Sequence, residues 1–211
     1  MPSSQEKDSL KNTEERYHII YENRGIIVVD KMVGLPTQPT RNQQENLYEL
    51  LLIRYPYVGL HHRLDQATSG LLLFTTRKKH NAAIAQQLQD RKIERLYTCV
   101  TLGAPKEHSG QWSSNIDGRN AITNWTCLKS NPTSSLLHVQ LHTGRKHQIR
   151  IHTNRNNVPI LGDRRYGHAG KLAKRLCLHA HQITFKDPTT SKDITVESPI
   201  PSDMQMYIDR I

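Results

Sequence analysis

The feature that most limits how this chain can fold is that its apolar residues fall in short runs separated by turn residues. "RGIIVVDK" (24–31) and "LLLFTT" (71–76) carry no polar alternation, so each reads as a strand covered on both faces. "LLHVQL" (136–141) and the segments near 181–186 and 193–198 read as further strands. In "RLYTCVTLG" (95–103), Leu96, Val100 and Leu102 face one way and Tyr97 and Cys99 the other. "ENLYELLLIRYP" (45–56) puts Leu47, Leu50, Leu51 and Arg54 at helical spacing, and Pro56 ends the helix. "RKKHNAAIAQQLQDRKI" (77–93) is an amphipathic helix with Ile84 and Leu88 inward, and "HQIRIHTNRN" (147–156) is a helix entered through the turn "HTGRK". "VGLPTQPT" (33–40) breaks structure with Gly and two prolines, and the Gly-, Ser- and Asn-rich segment 104–125 predicts a loop with little regular structure. Residues 1–16 are polar and read as a flexible arm. With no repeat and no linker between halves, the expectation is one α+β domain over 17–211. Its core is a central mixed, largely antiparallel sheet flanked by helices and loops.

Composition narrows the partners. The 211 residues carry a formal net charge of +10, and an excess of that size makes nucleic acid the first candidate. No stretch approaches the ~20 apolar residues of a membrane span, and "MPSSQEKDSLKNTEER" lacks the apolar core of a signal peptide. Cys99, Cys127 and Cys177 lie far apart with no CxxC, so they read as reduced thiols of a soluble cytoplasmic protein.

Two constellations carry chemistry. "HHRLDQATSG" (61–70) sets Asp65 two residues after Arg63, at a turn ahead of a buried strand. An aspartate before Thr-Ser-Gly ordinarily caps its own backbone. In an extended segment, however, Arg63 and Asp65 share a face, and a loop leading into a buried strand is a rigid platform for a site. "HTGRKHQIRIH" (142–152) places Arg145, Lys146 and His147 at a helix start, where the dipole disfavours cations, which hints at phosphate binding. Arg150, between Ile149 and Ile151, is placed to be half-buried and to want a carboxylate, with Asp65 the obvious partner to propose and Asp163 of "LGDRRYG" read as ordering a turn. Arg155, near the end of this helix, joins the candidates for RNA contact. The 12 histidines, including the pairs His61/His62, His147/His152 and His179/His181, show no ligand frame of the zinc type, so no metal is expected.

"HRLDQATSGLLLFTTR" (62–77) and "TGRKHQIRIHTNRNNVPILGDRRYG" (143–167) resemble the RluA family of pseudouridine synthases. So do "YENRGIIVVDKMVGLPTQP" (21–39), where Met32 replaces the usual proline, "KIERLYTCVTLG" (92–103), "AIT" (121–123) and "LCLHAHQITFKDP" (176–188). The resemblance implies the pseudouridine synthase fold, in a short form without the extra N-terminal RNA-binding domain, spanning 17–211. It implies an enzyme, an isomerase, that turns particular uridines of structured ribosomal or transfer RNA into pseudouridine by flipping the base out. By motif match, Asp65 is the essential aspartate, Tyr97 the tyrosine that stacks on the target base, Arg150 the arginine that pairs with the aspartate, and Arg63 the arginine that displaces the nucleotide. No cofactor is implied, and the protein is expected to be a monomer.

Two other readings compete. A glycosidic-bond hydrolase also brings a carboxylate to C1′, but generally with a second carboxylate, and it would release free uracil. A non-catalytic RNA-binding protein explains the charge but not an intact His-Arg-Leu-Asp with its tyrosine and arginine, and an aromatic content of 6% is thin for a stacking platform.

Overall fold

A computed structural model describes residues 16–211. All but the last residue of the expected arm 1–16 lies outside the described residues. The chain divides into two compact units, the first made of the described residues up to Lys92 with Phe185–Ser198, the second of Ile93–Thr184 with Pro199–Ile211. Both are built on antiparallel sheet with helices, the α+β class expected.

In the first unit β1 (Tyr17–Asn23) and β2 (Ile26–Lys31) form a hairpin. Its turn residues Arg24 and Gly25 both have positive φ, which matches the twist of the flanking strands. β2 also pairs with β4 (Ser69–Thr75), Val28 opposite Leu73, and the two-residue β3 (Gly59–Leu60) pairs with β4 as well. Neighbours on both edges and cover on both faces explain why Ile26–Val29 and the whole of β4 are buried, and why neither run alternates. The helix α1 (Leu47–Arg54) is capped by Asn46, whose Oδ1 accepts the Glu49 N–H at 3.1 Å while its Nδ2 donates to Glu49 Oε2 at 2.6 Å. It stops at Tyr55, before Pro56. The helix predicted over 77–93 is a 3₁₀ turn (Lys78–His80) followed by α2 (Asn81–Gln89).

The second unit orders its strands β9-β5-β8-β7-β6, with β5 (Glu94–Leu102), β6 (Ser109–Ile116), β7 (Arg119–Ser130), β8 (Ser134–Leu141) and β9 (Leu178–Lys186, of which 178–184 belong to this unit). The loop predicted for 104–125 is instead the β6–β7 hairpin, turned at Asp117-Gly118, both with positive φ. Its sequence is polar because one face is exposed. The other buries Trp112, Ile116, Ala121, Thr123 and Trp125, with the tryptophans stacked 5.0 Å apart. The helix predicted at 147–156 is present as α3 (Gln148–Arg155), and a final helix, α4 (Ser202–Ile208), follows β10 (Asp193–Glu197) of the first unit. That last helix has no counterpart in the sequence reading. Among the described residues no helix is long and apolar enough to cross a membrane.

Candidate active site

Asp65 sits in the first unit on the extended segment between β3 and β4. Leu64 is buried while Arg63 is exposed and Asp65 half-buried, as expected if residues 63 and 65 share the face opposite Leu64. The flanking residues are clamped to segment 31–37. Thr37 Oγ1 donates to the Leu64 carbonyl at 2.8 Å and accepts the Leu64 N–H at 3.2 Å. Past Asp65, the Gly34 N–H donates to the Gln66 carbonyl at 2.8 Å, and Gln66 Nε2 returns to the Gly34 carbonyl at 3.0 Å. Lys31, with no exposed surface, donates from Nζ to the carbonyls of Leu35 (2.8 Å), Met32 (3.0 Å) and Gln66 (3.5 Å). The turn after Asp65 is closed by main chain, the Thr68 N–H donating to the Asp65 carbonyl at 3.0 Å, so closing it does not require the carboxylate.

The neighbouring histidines serve the scaffold. His62 Nε2 accepts the Leu73 N–H at 3.1 Å, and His61 Nε2 bonds Thr75 Oγ1 at 3.0 Å. Thr75 passes the chain on to Asn81, and Asn81 to the Tyr57 hydroxyl. A side chain at Gly59 would collide with Thr75 and Asn81, so only glycine lets this polar chain through.

The remaining site residues belong to the second unit. Tyr97, 5% exposed, lies on β5 between Val139 of β8 and Ala180 of β9, with a register shift toward β9 at Leu96/Tyr97. Such a shift re-aims a side chain on an otherwise rigid strand. The turn into α3 is built by Gln148, a residue the motif reading passes over. Its Oε1 accepts Thr143 Oγ1 (2.7 Å) and the Arg145 N–H (2.9 Å), and its Nε2 donates to the Ile122 carbonyl and Thr123 Oγ1 on β7 (2.9 Å each). His147, with φ of 55°, makes the left-handed step that starts the helix, and its Nδ1 lies 2.8 Å from the Tyr166 hydroxyl.

Arg150 is 7% exposed and meets Asp163, 1% exposed, through two parallel bonds of 2.8 Å, Nε to Oδ2 and Nη2 to Oδ1. Its guanidinium also lies 5.2 Å from the Tyr166 ring centre. Asp163 Oδ1 accepts the N–H groups of Arg165 (2.9 Å) and Tyr166 (3.0 Å), so the residue orders its turn, as the sequence suggests, and takes the Nε edge of Arg150 as well. Burial pushes the Asp163 carboxyl up, but the bonds and charge of Arg150 and the two N–H groups outweigh it and hold the group below the usual carboxylate range.

Of the residues expected at RNA, Lys146 is exposed, while two arginines brace the hairpin. Arg145 Nε donates to the Asn120 carbonyl at 3.1 Å, and Arg155 Nη1 to Ser114 Oγ and the Asn115 carbonyl at 2.8 Å each. The site residues thus fall into two sets, Arg63 and Asp65 in the first unit, and Tyr97, Arg145, Lys146, His147, Arg150 and Arg155 in the second. The supports missed in the sequence, Lys31, Thr37, Gln148 and Tyr166, act through hydrogen bonds and a ring contact that no spacing rule reveals.

The family model for RNA pseudouridylate synthase matches residues 25–155, a span that contains Arg63, Asp65, Tyr97 and Arg150. The chain is 32% identical over 210 residues to the uncharacterized RNA pseudouridine synthase YhcT of Bacillus subtilis, covering 89% of this chain and 70% of that protein. It is 30% identical over 229 residues to ribosomal large subunit pseudouridine synthase D of Xanthomonas campestris, covering 92% and 69%. Among solved structures, human RNA pseudouridylate synthase domain containing 4 shares the fold with a TM-score of 0.82 at 21% identity, over 98% of this chain and 96% of that one.

Proposed function

The chain belongs to the RNA pseudouridylate synthase family, isomerases that act on RNA, and from that membership we propose that it converts particular uridines of structured ribosomal or transfer RNA into pseudouridine with Asp65 as its reagent. The observation that carries this reading is the His-Arg-Leu-Asp segment itself, with Leu64 and Gln66 tied on either side of Asp65 to one rigid turn. A carboxylate that must meet one atom of a flipped nucleotide needs that fixity.

The reaction breaks the bond from uracil N1 to C1′, rotates the retained base and joins C5 to C1′. The C5 proton leaves and N1 gains one, so atoms balance without a co-reactant. Asp65 serves either as nucleophile at C1′ or as the base that removes the 2′ proton, and both routes use its carboxylate. Tyr97 offers a flat ring from a rigid strand for the base and a hydroxyl for the C5 proton. Arg150, held by Asp163 and Tyr166, supplies a fixed cation, and Arg63, exposed beside Asp65, fills the space the extruded base leaves. Residues 17–211 act together as the catalytic domain of a cytoplasmic monomer. Ribosomal RNA is the favoured substrate, because the relatives include proteins named for the large ribosomal subunit.

The test is a map of pseudouridine in total RNA from cells with and without this gene. Loss of discrete pseudouridines is expected. An identical map, or release of free uracil from RNA by the purified enzyme, contradicts the proposal.

A further inference from the structure

A groove of about 790 Å³ in the second unit lies outside every segment assigned above to RNA, and its lining includes Asp163, Arg164, His168, Lys171, Lys174 and Tyr207. Arg164, His168, Lys171 and Lys174 are exposed. The single carboxylate of the lining is already committed, since Asp163 accepts two bonds from Arg150 and two from main-chain N–H groups. Nearby, Asp203 pairs with Arg175 at 3.2 Å, and Arg210 places its guanidinium 5.9 Å from the Tyr207 ring centre. Three permanent cations and an imidazole therefore share one groove with no uncommitted acid among them.

The loop that carries these cations is braced. Gly162 has φ of +77°, and a Cβ there would stand 1.7 Å from the Arg175 carbonyl oxygen. Gly167 has φ of +72°, and a Cβ there would stand 2.4 Å from Asn154 Oδ1. The Gly162 N–H donates to the Ala169 carbonyl at 2.9 Å, the Cys177 N–H to the Leu161 carbonyl at 2.9 Å, and the Lys174 N–H to the Tyr207 hydroxyl oxygen at 3.1 Å. Cations gathered in one groove on a backbone pinned at both ends are preorganised for several anions.

We propose that this groove holds the phosphodiester backbone of the RNA substrate, an inference that rests on the pseudouridine synthase reading above. A single phosphate would engage one or two of these cations, whereas a nucleic-acid backbone presents a charge at every nucleotide and so can engage them all. Tyr207, whose oxygen accepts from Lys174, keeps its own proton to donate to a phosphate or sugar oxygen. Asp163 both lines the groove and holds Arg150, so a strand lying here passes the residue that fixes the arginine of α3.

The experiment measures binding of a fluorescein-labelled RNA hairpin between about 50 and 200 mM salt by anisotropy. Removing two phosphate contacts with Lys171→Ala/Lys174→Ala is expected to reduce the slope of log K against log salt by about 1.5 and to weaken binding on the order of tenfold or more. Lys171→Arg/Lys174→Arg restores the slope. Lys186→Ala/Lys192→Ala, which removes the same charge from the first unit, leaves it near wild type. An unchanged slope in the groove variant, an equal fall in the Lys186/Lys192 control, or displacement of the hairpin by millimolar inorganic phosphate at constant ionic strength overturns the groove. If the wild-type enzyme forms no pseudouridine, the functional reading fails instead. If it does and the slope is unchanged, only the groove fails.

Discussion

Replacing Asp163 by asparagine tests how the second unit holds its arginine. In the Asp163→Asn variant the side-chain carbonyl oxygen can still accept the Arg165 and Tyr166 N–H groups, so the turn survives. What is lost is the charge and the second bond to Arg150, a guanidinium only 7% exposed. Breaking a buried pair by removing one charged partner costs about 3–5 kcal/mol. For a chain of this size each kcal/mol lowers Tm by about 2–4 °C, so a drop of roughly 6–20 °C is expected. Arg150→Met with Asp163→Asn removes the cation together with its carboxylate, and the double variant should be more stable than the sum of the singles by at least about 2 kcal/mol. The pH dependence has a definite sign. Because the folded Asp163 carboxyl is held low, its contribution is complete above the ordinary carboxylate value of about 3.9 and is lost as pH falls through the folded one. Differential scanning calorimetry of wild type, both singles and the double variant measures all of this. A loss under about 1 kcal/mol for Asp163→Asn, with no coupling to Arg150, would mean that Asp163 does not hold the arginine.

Thr37→Val keeps the shape of the side chain but strips both hydrogen bonds from Leu64, so stability should fall by about 1–3 kcal/mol in denaturant unfolding and kcat should fall more than KM rises. Tyr97→Phe keeps the ring and loses the hydroxyl, so RNA affinity should hold while the single-turnover rate drops sharply; an unchanged rate would reduce Tyr97 to a platform. Burial holds the imidazoles of His61, His138 and His152 below their ordinary value, helped by His181 at His138 and Arg155 at His152. Their neutral forms therefore stabilise the fold fully above about pH 6.5, and Tm should decline as pH falls toward about 5, less steeply in His152→Gln; a flat profile contradicts this.

The parts of the fold that were legible in the sequence are those where burial on both faces leaves an unbroken apolar run, as in β2 and β4, or where leucines recur at helical spacing, as in α1. The β6–β7 hairpin escaped because Ser, Asn and Gly on its exposed face look like loop, although Ala121, Thr123, Trp125 and Cys127 alternate correctly and Asp117-Gly118 is a hairpin turn. The final helix escaped because only Met204 of its residues is buried, too little for periodicity to show. At the candidate site, Asp65, Tyr97 and Arg150 are singled out by their motifs alone. Asp163 as a partner of Arg150 was not, since a carboxylate thirteen residues away is brought to the helix by a turn closed through main-chain N–H groups, which carry no side-chain signal.

If the Asp65 carboxylate performs the isomerisation, single-turnover pseudouridine formation by Asp65→Asn, on an RNA the wild-type enzyme modifies, shows it. The substitution keeps the shape of the side chain and every basic residue of the surface. Pseudouridine should be undetectable while RNA affinity changes by less than about tenfold, equivalent to about 1.4 kcal/mol. Substantial turnover by a sequence-verified Asp65→Asn enzyme would contradict that role for the carboxylate.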